Sequence, residues 1–177
     1  MIRLYHGSNV EIEKIDLSKS RPFKDFGKAF YLSANEQQAW ERAHVAITLW
    51  GGNPYVTPFE FDEQLMDSGE LKVMKFDAYT EEWADFLFSN RDRRKPAYHH
   101  VYDIVYGPIA NDKVGEQVAL FKGGYISKER FLKKLKLMRG ITFQYAFCTE
   151  AAISKLKKLW QQESEWSFWN STWPKSL

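Results

Sequence analysis

Apolar and polar positions along this chain fall into short patterned segments, separated by glycine, proline and capping residues. Residues 2–6 are a short apolar run and predict a first strand. Residues 9–27 mix polar and apolar positions around Pro22 and Gly27 and predict a loop. Lys28 to Leu32 predicts a second strand. Ser33 and Glu36 then stand at capping-box spacing, in which the hydroxyl accepts from the Glu36 amide while the carboxylate reaches back. Ala39, Trp40, Ala43, Ala46, Ile47 and Trp50 recur at helical intervals behind that cap, and Gly51-Gly52 stops the helix. Tyr55 to Phe61 reads as a strand, placed at a sheet edge by Pro58, and Leu71 to Phe76 reads as another.

Thr80 caps a predicted helix with Trp83, Phe86 and Leu87 on one face. Residues 91–100 form a basic loop with Arg91, Arg93, Arg94, Lys95, His99 and His100. Val101 to Tyr106 is an apolar strand interrupted only by Asp103 and closed by Gly107-Pro108. Ser127 caps a helix that turns Phe131, Leu132, Leu135 and Met138 inward and Lys133, Lys134 and Lys136 outward. Ile141 to Cys148 alternates with period two: Ile141, Phe143, Tyr145 and Phe147 on one face, Thr142, Gln144, Ala146 and Cys148 on the other. Thr149 caps a last helix burying Ala152, Ile153, Leu156 and Trp160. Strands outnumber helices and are not joined as regular βαβ units, so the expectation is an α+β fold with mainly antiparallel sheets. One domain is expected over residues 1–160, followed by a Trp-rich tail over 161–177, docked on the body or reserved for a partner.

Composition narrows the field. Apolar residues are 44% and aromatics 16% of the chain, enough for a core that needs no staples. The formal net charge is only +2, which argues against nucleic-acid binding driven by bulk charge. Cys148 is the only cysteine, so no internal disulfide forms and a thiolate metal site is not expected. His99 and His100 have no carboxylate or cysteine at ligand spacing. There is no apolar run of membrane-spanning length and no secretory pattern at the N-terminus, so a soluble cytoplasmic protein is expected.

Candidate chemistry sits in three segments far apart in the chain: Leu4-Tyr5-His6-Gly7-Ser8, Gly27-Lys28-Ala29-Phe30-Tyr31-Leu32-Ser33 and Thr142-Phe143-Gln144-Tyr145. Taken singly, each has a structural explanation. His6 reads as a satisfied core histidine, Tyr31 as packing, Gln144 as a solvent-facing residue on an edge strand, Asp25 as a turn cap and Glu150 as a helix-dipole partner. Asp103 reads as a buried carboxylate paired with a backbone amide or an arginine, and Cys148 as a small core residue. A Gly-x-Gly-x-x-Gly fingerprint is absent, so a Rossmann dinucleotide site is not expected.

Taken together, Tyr5-His6-Gly7-Ser8 and Gly27-Lys28-Ala29-Phe30-Tyr31, with an Ala-rich helix behind, resemble the first two motifs of ADP-ribosyltransferases of the diphtheria-toxin, His-Tyr-Glu class. Most of the chain also resembles a bacterial family within that superfamily described as a domain of unknown function. The shared segments are Lys24-Asp25-Phe26-Gly27, Trp83-Ala84-Asp85-Phe86, Asp103 through Asp112, and Gln144 followed by Thr149-Glu150-Ala151-Ala152. The resemblance stops near Trp160.

It implies an ADP-ribosyltransferase-like split antiparallel β-sandwich with surrounding helices, and NAD as co-substrate. His6 would bond a ribose hydroxyl, the Gly7 backbone would clamp the nicotinamide carboxamide, and Tyr31 would stack on the ring. Ser8, Asp25 and Ser33 are expected to add contacts to NAD. Gln144 would take the place of the third-motif glutamate. The implied activity is mono-ADP-ribosylation of a protein or nucleic acid by a bacterial toxin, with a small antitoxin protein as a partner. Alternatives are an NAD glycohydrolase, or a catalytically weak NAD- or partner-binding module. RNA handling, as in related tRNA 2′-phosphotransferases, would want a basic constellation near the first two motifs, and none is evident there.

The chemistry explains the residue types. Glycine lets backbone approach a planar amide closely. An aromatic face attracts a cationic pyridinium by about 0.5–2 kcal/mol. A carboxylate near the anomeric carbon would favour positive charge on the sugar. Gln144 can hold a hydroxyl but supplies no charge. Losing one such electrostatic contact costs about 3–4 kcal/mol, or 10²–10³ in rate. Glu150 and Asp25 are the candidate compensating carboxylates.

Overall fold

Strand β1 (Ile2–Ser8) divides its side chains between two environments. Leu4 enters a core between two sheets, whereas Tyr5 packs against a helix on the other side. That division sets the layering of the whole fold. The computed structural model describes residues 1–110, 112–137 and 141–159.

One sheet has three strands in the order β1–β3–β7, with β3 (Tyr55–Phe61) central and β7 only Lys157–Lys158. The other has four in the order β2–β6–β5–β4: β2 (Phe30–Leu32), β6 (Phe143–Phe147), β5 (Ile104–Pro108) and β4 (Val73–Lys75). The pairings of β1 with β3, β3 with β7, β2 with β6 and β5 with β6 are antiparallel, and β4 with β5 is parallel. The described residues include five helices: α1 (Glu36–Trp50), α2 (Glu81–Arg91), α3 (Asp112–Lys122), α4 (Lys128–Lys136) and α5 (Glu150–Ile153). The fold is therefore mixed α+β, with two sheets and mainly antiparallel pairing.

Three cores hold the layers together. Leu4, Phe30, Leu32, Phe59, Phe61, Ile104, Tyr145 and Phe147 pack between the sheets. Phe26, Trp83, Leu87, Val105, Val118, Phe131, Leu135 and Ala146 pack the four-stranded sheet against α2, α3 and α4. Ala39, Trp40 and Ala43 of α1 cover Val56 and Tyr5. The alternation along β6 thus separates two buried faces: Tyr145 and Phe147 enter one core, Ala146 the other.

Several sequence expectations are corrected. Asn35, not Ser33, caps α1: its side chain accepts from the Gln38 amide. The Ser33 hydroxyl accepts from the Asn35 amide at 2.9 Å and donates to Gln38 Oε1. Trp50 was expected on the buried face of α1, yet it is exposed. β3 is central rather than an edge. Pro58 is tolerated because Tyr5, its partner on β1, turns its backbone away to Ser33. The missing Pro58 amide hydrogen falls at the end of the short ladder with β7, where Leu159 N–H still donates to the Pro58 carbonyl at 2.9 Å. The last predicted helix shrinks to one turn, and Leu156 packs between the sheets as the chain enters β7. Strand β5 starts at Ile104 rather than Val101. The 3-10 turns at Leu17–Lys19 and Glu63–Met66, and helix α3, were not foreseen. Met138, Trp160 and the tail over 161–177 lie outside the described residues.

Asp103 acts as the pattern suggests. Its carboxylate accepts from the Lys72 amide at 2.9 Å and from the Thr149 hydroxyl at 2.7 Å, while that hydroxyl caps α5 by accepting from the Ala152 amide. One side chain therefore ties β4, β5 and α5 together.

Gly7 is where β1 and α1 approach most closely. A Cβ there would lie 1.8 Å from the Ala39 carbonyl oxygen. Gly7→Ala should lower stability by roughly 3 kcal/mol, the upper end for overpacking, read as a lower midpoint of chemical denaturation. An unchanged midpoint would mean that α1 can lift off β1 at no cost.

Candidate functional site

The two sheets meet by backbone at one residue pair. Tyr5 N–H donates to the Ser33 carbonyl at 2.8 Å, and Ser33 N–H donates to the Tyr5 carbonyl at 2.9 Å. In a continuing antiparallel ladder the next bonded pair would be Gly7 with Tyr31. Instead the imidazole of His6 enters the gap, and its Nδ1 lies 2.8 Å from the Tyr31 carbonyl oxygen. A carbonyl only accepts, so Nδ1 carries the hydrogen and Nε2 is left as an acceptor. The Gly7 N–H and C=O, aligned like those of Tyr5, turn away from β3 toward the same gap.

His6 is also held by its ring, stacked on Phe30 with centroids 4.2 Å apart and planes 24° from parallel. Burial lowers its pKa from 6.5 to about 4; the bond to the Tyr31 carbonyl opposes this, and Lys24 and Arg42 reinforce it. His6 is therefore a neutral imidazole near pH 7.

Tyr31 is fixed at both ends. Its hydroxyl donates to the Gly27 carbonyl at 2.7 Å and accepts from the Phe26 amide at 3.1 Å. Burial, with the nearby Asp25 charge, holds its pKa well above the ordinary tyrosine value. The Lys24 ammonium lies 4.9 Å from its ring centroid, so the ring already faces a cation.

Gln144 and Ala146 rise from the same face of β6, and Ala146 pairs with Tyr31 on β2. Gln144 thus shares a sheet face with Tyr31, on an internal strand rather than an edge. His6, Gly7, Ser8, Asp25, Tyr31, Ser33 and Gln144 all line one cavity of about 1330 Å³. The three sequence motifs converge there.

Not all of these residues are available to a ligand. The Ser8 hydroxyl accepts from the Val10 amide at 3.3 Å, and Ser33 is committed to Asn35 and Gln38. Asp25 accepts from Arg91 Nε at 2.8 Å, from Arg91 Nη2, and from the Ala110 amide at 3.2 Å. That ion pair anchors the loop before β2 to α2 and the end of β5, and it spends the carboxylate. Glu150, the other candidate carboxylate, is exposed in the first turn of α5 and outside the cavity lining. Cys148 is half-buried, and burial raises its thiol to about 12. No group of three or more His, Cys, Asp or Glu that could hold a metal occurs among the described residues.

The cavity also holds a basic cluster that the sequence did not disclose. Arg21, Lys24 and Arg42 line it, and none makes an ion pair among the described residues. Burial first, then Arg42 and Arg21, lower the Lys24 pKa to about 8, against a smaller opposing effect from Asp25. Such a cluster favours an anionic ligand, which would relieve both the repulsion and the desolvation. The available signal was helical spacing: Gln38, Arg42 and Val45 form a second stripe on α1 beside the Ala39, Ala43 and Ala46 stripe.

Fold and site together define a small α+β domain with a cavity, bearing a basic cluster, where its two sheets part. The family described as "Protein of unknown function (DUF3990)" matches residues 2–158, and the chain belongs to it. No curated protein and no solved structure matches the chain. No helix among the described residues is long and apolar enough to cross a membrane.

The histidine leaves a pH signature. The unfolded imidazole gains its proton near pH 6.5, the folded one only near pH 4. Between those values the unfolded chain binds more protons, so stability falls as pH is lowered from 6.5 to 4. At 1.36 kcal/mol per pKa unit, that drop from 6.5 to about 4 amounts to the order of 3 kcal/mol. Denaturation of wild type and His6→Gln at pH 7 and pH 4 should show the wild type losing about that much more than the variant. Equal losses would place His6 in water.

Proposed function

We propose that the chain is an NAD-dependent mono-ADP-ribosyltransferase acting on a macromolecular acceptor, with its two sheets in the split sandwich arrangement of that superfamily. The observation that carries this reading is the interrupted ladder between β1 and β2. There the His6 ring takes the carbonyl that strand pairing would give to Gly7, and the Gly7 peptide groups are turned toward the gap. An N–H and a C=O side by side suit a primary carboxamide, which needs one acceptor and one donor. The Tyr31 face suits a pyridinium, a reading supported by the Lys24 ammonium 4.9 Å from its ring centroid. Lys24, less exposed than Arg21 and Arg42, suits the diphosphate.

NAD supplies a leaving group that is cationic while bonded to ribose. The chain's residues orient it. His6 holds a ribose hydroxyl through Nε2, the Gly7 backbone fixes the carboxamide, Tyr31 faces the ring, and Gln144 hydrogen-bonds a ribose hydroxyl. On this reading the chain works in the cytoplasm as a toxin restrained by a small antitoxin protein.

Incubation with NAD should release nicotinamide, and label from the ADP-ribose half should appear on a macromolecule when lysate is added. His6→Ala and Tyr31→Ala should each lower release by about 10²-fold, the effect expected when positioning is lost. Gln144→Glu should raise it, by up to about 10²-fold, by restoring a charge. Undiminished release in both alanine variants would remove the site assignment. Free ADP-ribose with no labelled acceptor would make water the acceptor and the chain a glycohydrolase.

A further inference from the structure

Trp50, the last residue of α1, lines the cavity and is 44% exposed. The Arg21 guanidinium stands 4.3 Å from the indole ring centroid, and the Arg42 guanidinium 5.9 Å. Neither arginine has an ion-pair partner among the described residues. Two apolar neighbours on the helix, Val45 and Leu49, are 47% and 60% exposed. The rim is thus a planar aromatic surface, extended by a layered guanidinium and flanked by arginines that make no ion pair among the described residues.

Glu11, Glu13, Asp16, Asp25 and Glu41 also line this cavity; Asp25 is paired with Arg91, and none of the five lies within ion-pair distance of Arg21 or Arg42. Asp16 accepts from the Ser18 amide at 2.8 Å, and Glu41 accepts from Gln37 at 3.4 Å. The charge of Arg42 reaches both His6 and Lys24, so the rim and the inner site share one field. At about 1330 Å³ the cavity is larger than the roughly 300–1,000 Å³ usual for a single small ligand. A donor held at the inner site leaves the rim for a second substrate.

We propose that Trp50, Arg21 and Arg42 form a platform for single-stranded nucleic acid, with a base stacked on the indole–guanidinium layer and its flanking phosphates on the arginines. Aromatic faces bind bases of any sequence, and unpaired cations track the backbone. The strand's role as ADP-ribose acceptor rests on the function proposed above; its binding does not. In transfer, a nucleophilic nitrogen or oxygen of the strand forms a bond to the ribose anomeric carbon as the bond to nicotinamide breaks. Neutral nicotinamide leaves with the electron pair, and the nucleophile's proton passes to solvent.

Fluorescence anisotropy with labelled DNA and RNA strands of about 12 nucleotides, and with matching duplexes, tests this. The strands should bind more tightly than the duplexes. Trp50→Ala should weaken strand binding by roughly tenfold, and Trp50→Phe should recover most of the loss. Arg42→Gln should reduce the slope of log affinity against log salt by about 0.7. No strand binding at low salt, equal binding by Trp50→Ala and wild type, or equal affinity for duplex would overturn the platform. Strand binding without nicotinamide release would support the platform and remove the proposed enzyme. Nicotinamide release without strand binding would overturn the platform alone.

Discussion

The structure turns on the paired hydrogen bonds between Tyr5 and Ser33. They join two otherwise separate sheets at one point, and strand twist then carries the sheets apart. A longer ladder would have closed the gap, and no ladder would have left the sheets held by side chains alone. One bridge fixes the position of β1 relative to β2 and leaves peptide groups beyond it facing a cleft. The His6 side chain stabilises that open end by satisfying the Tyr31 carbonyl, which would otherwise lose its partner where the strands part.

Everything around this opening is braced from behind. The His6 ring lies on Phe30, which belongs to the core between the sheets. The Tyr31 hydroxyl holds Phe26 and Gly27, and Phe26 is buried against the helices. Asp25 is gripped by Arg91 and Ala110. His6, Tyr31 and Asp25 are thus each connected to one of the cores by a short path of bonded or packed atoms. A site that must hold a ligand to within about 0.5 Å needs such backing.

Much of this was legible in the chain, for reasons that differ by element. Helix α2 was read correctly from Thr80 and the spacing of Trp83 and Leu87, because cap and stripe agree. Strand β6 was read from its strict alternation. Helix α3 was missed, although Val114, Val118 and Phe121 hold helical spacing, because Gly115 interrupts the pattern with a weak helix former. The cap of α1 was misplaced by two residues because Ser33 and Asn35 both fit the rule, and only the bridge to Tyr5 decides between them. The residues lining the cavity were legible as motifs. Their charge environment was not, because Arg21, Lys24 and Arg42 come together only after the loop before β2 folds over α1. Asp25 seemed free in the chain for the complementary reason: its partner Arg91 lies 66 positions away.

That charge environment bears on the substitution at the third motif. Arg21, Lys24 and Arg42 gather at the cavity with no ion pair among the described residues, while Asp25 is paired with Arg91. A field of this sign opposes positive charge building on a ribose, and an uncharged Gln144 does nothing to reverse it. On the proposed reading, the diphosphate of NAD changes the balance. Its two negative charges offset Lys24, and they lie on the same molecule as the reacting sugar. The anionic field that a glutamate would supply as a fixed part of the protein then arrives with the substrate. A glutamine at position 144 is compatible with that arrangement because it orients the sugar without adding a carboxylate whose own ionisation depends on whether the cavity is filled.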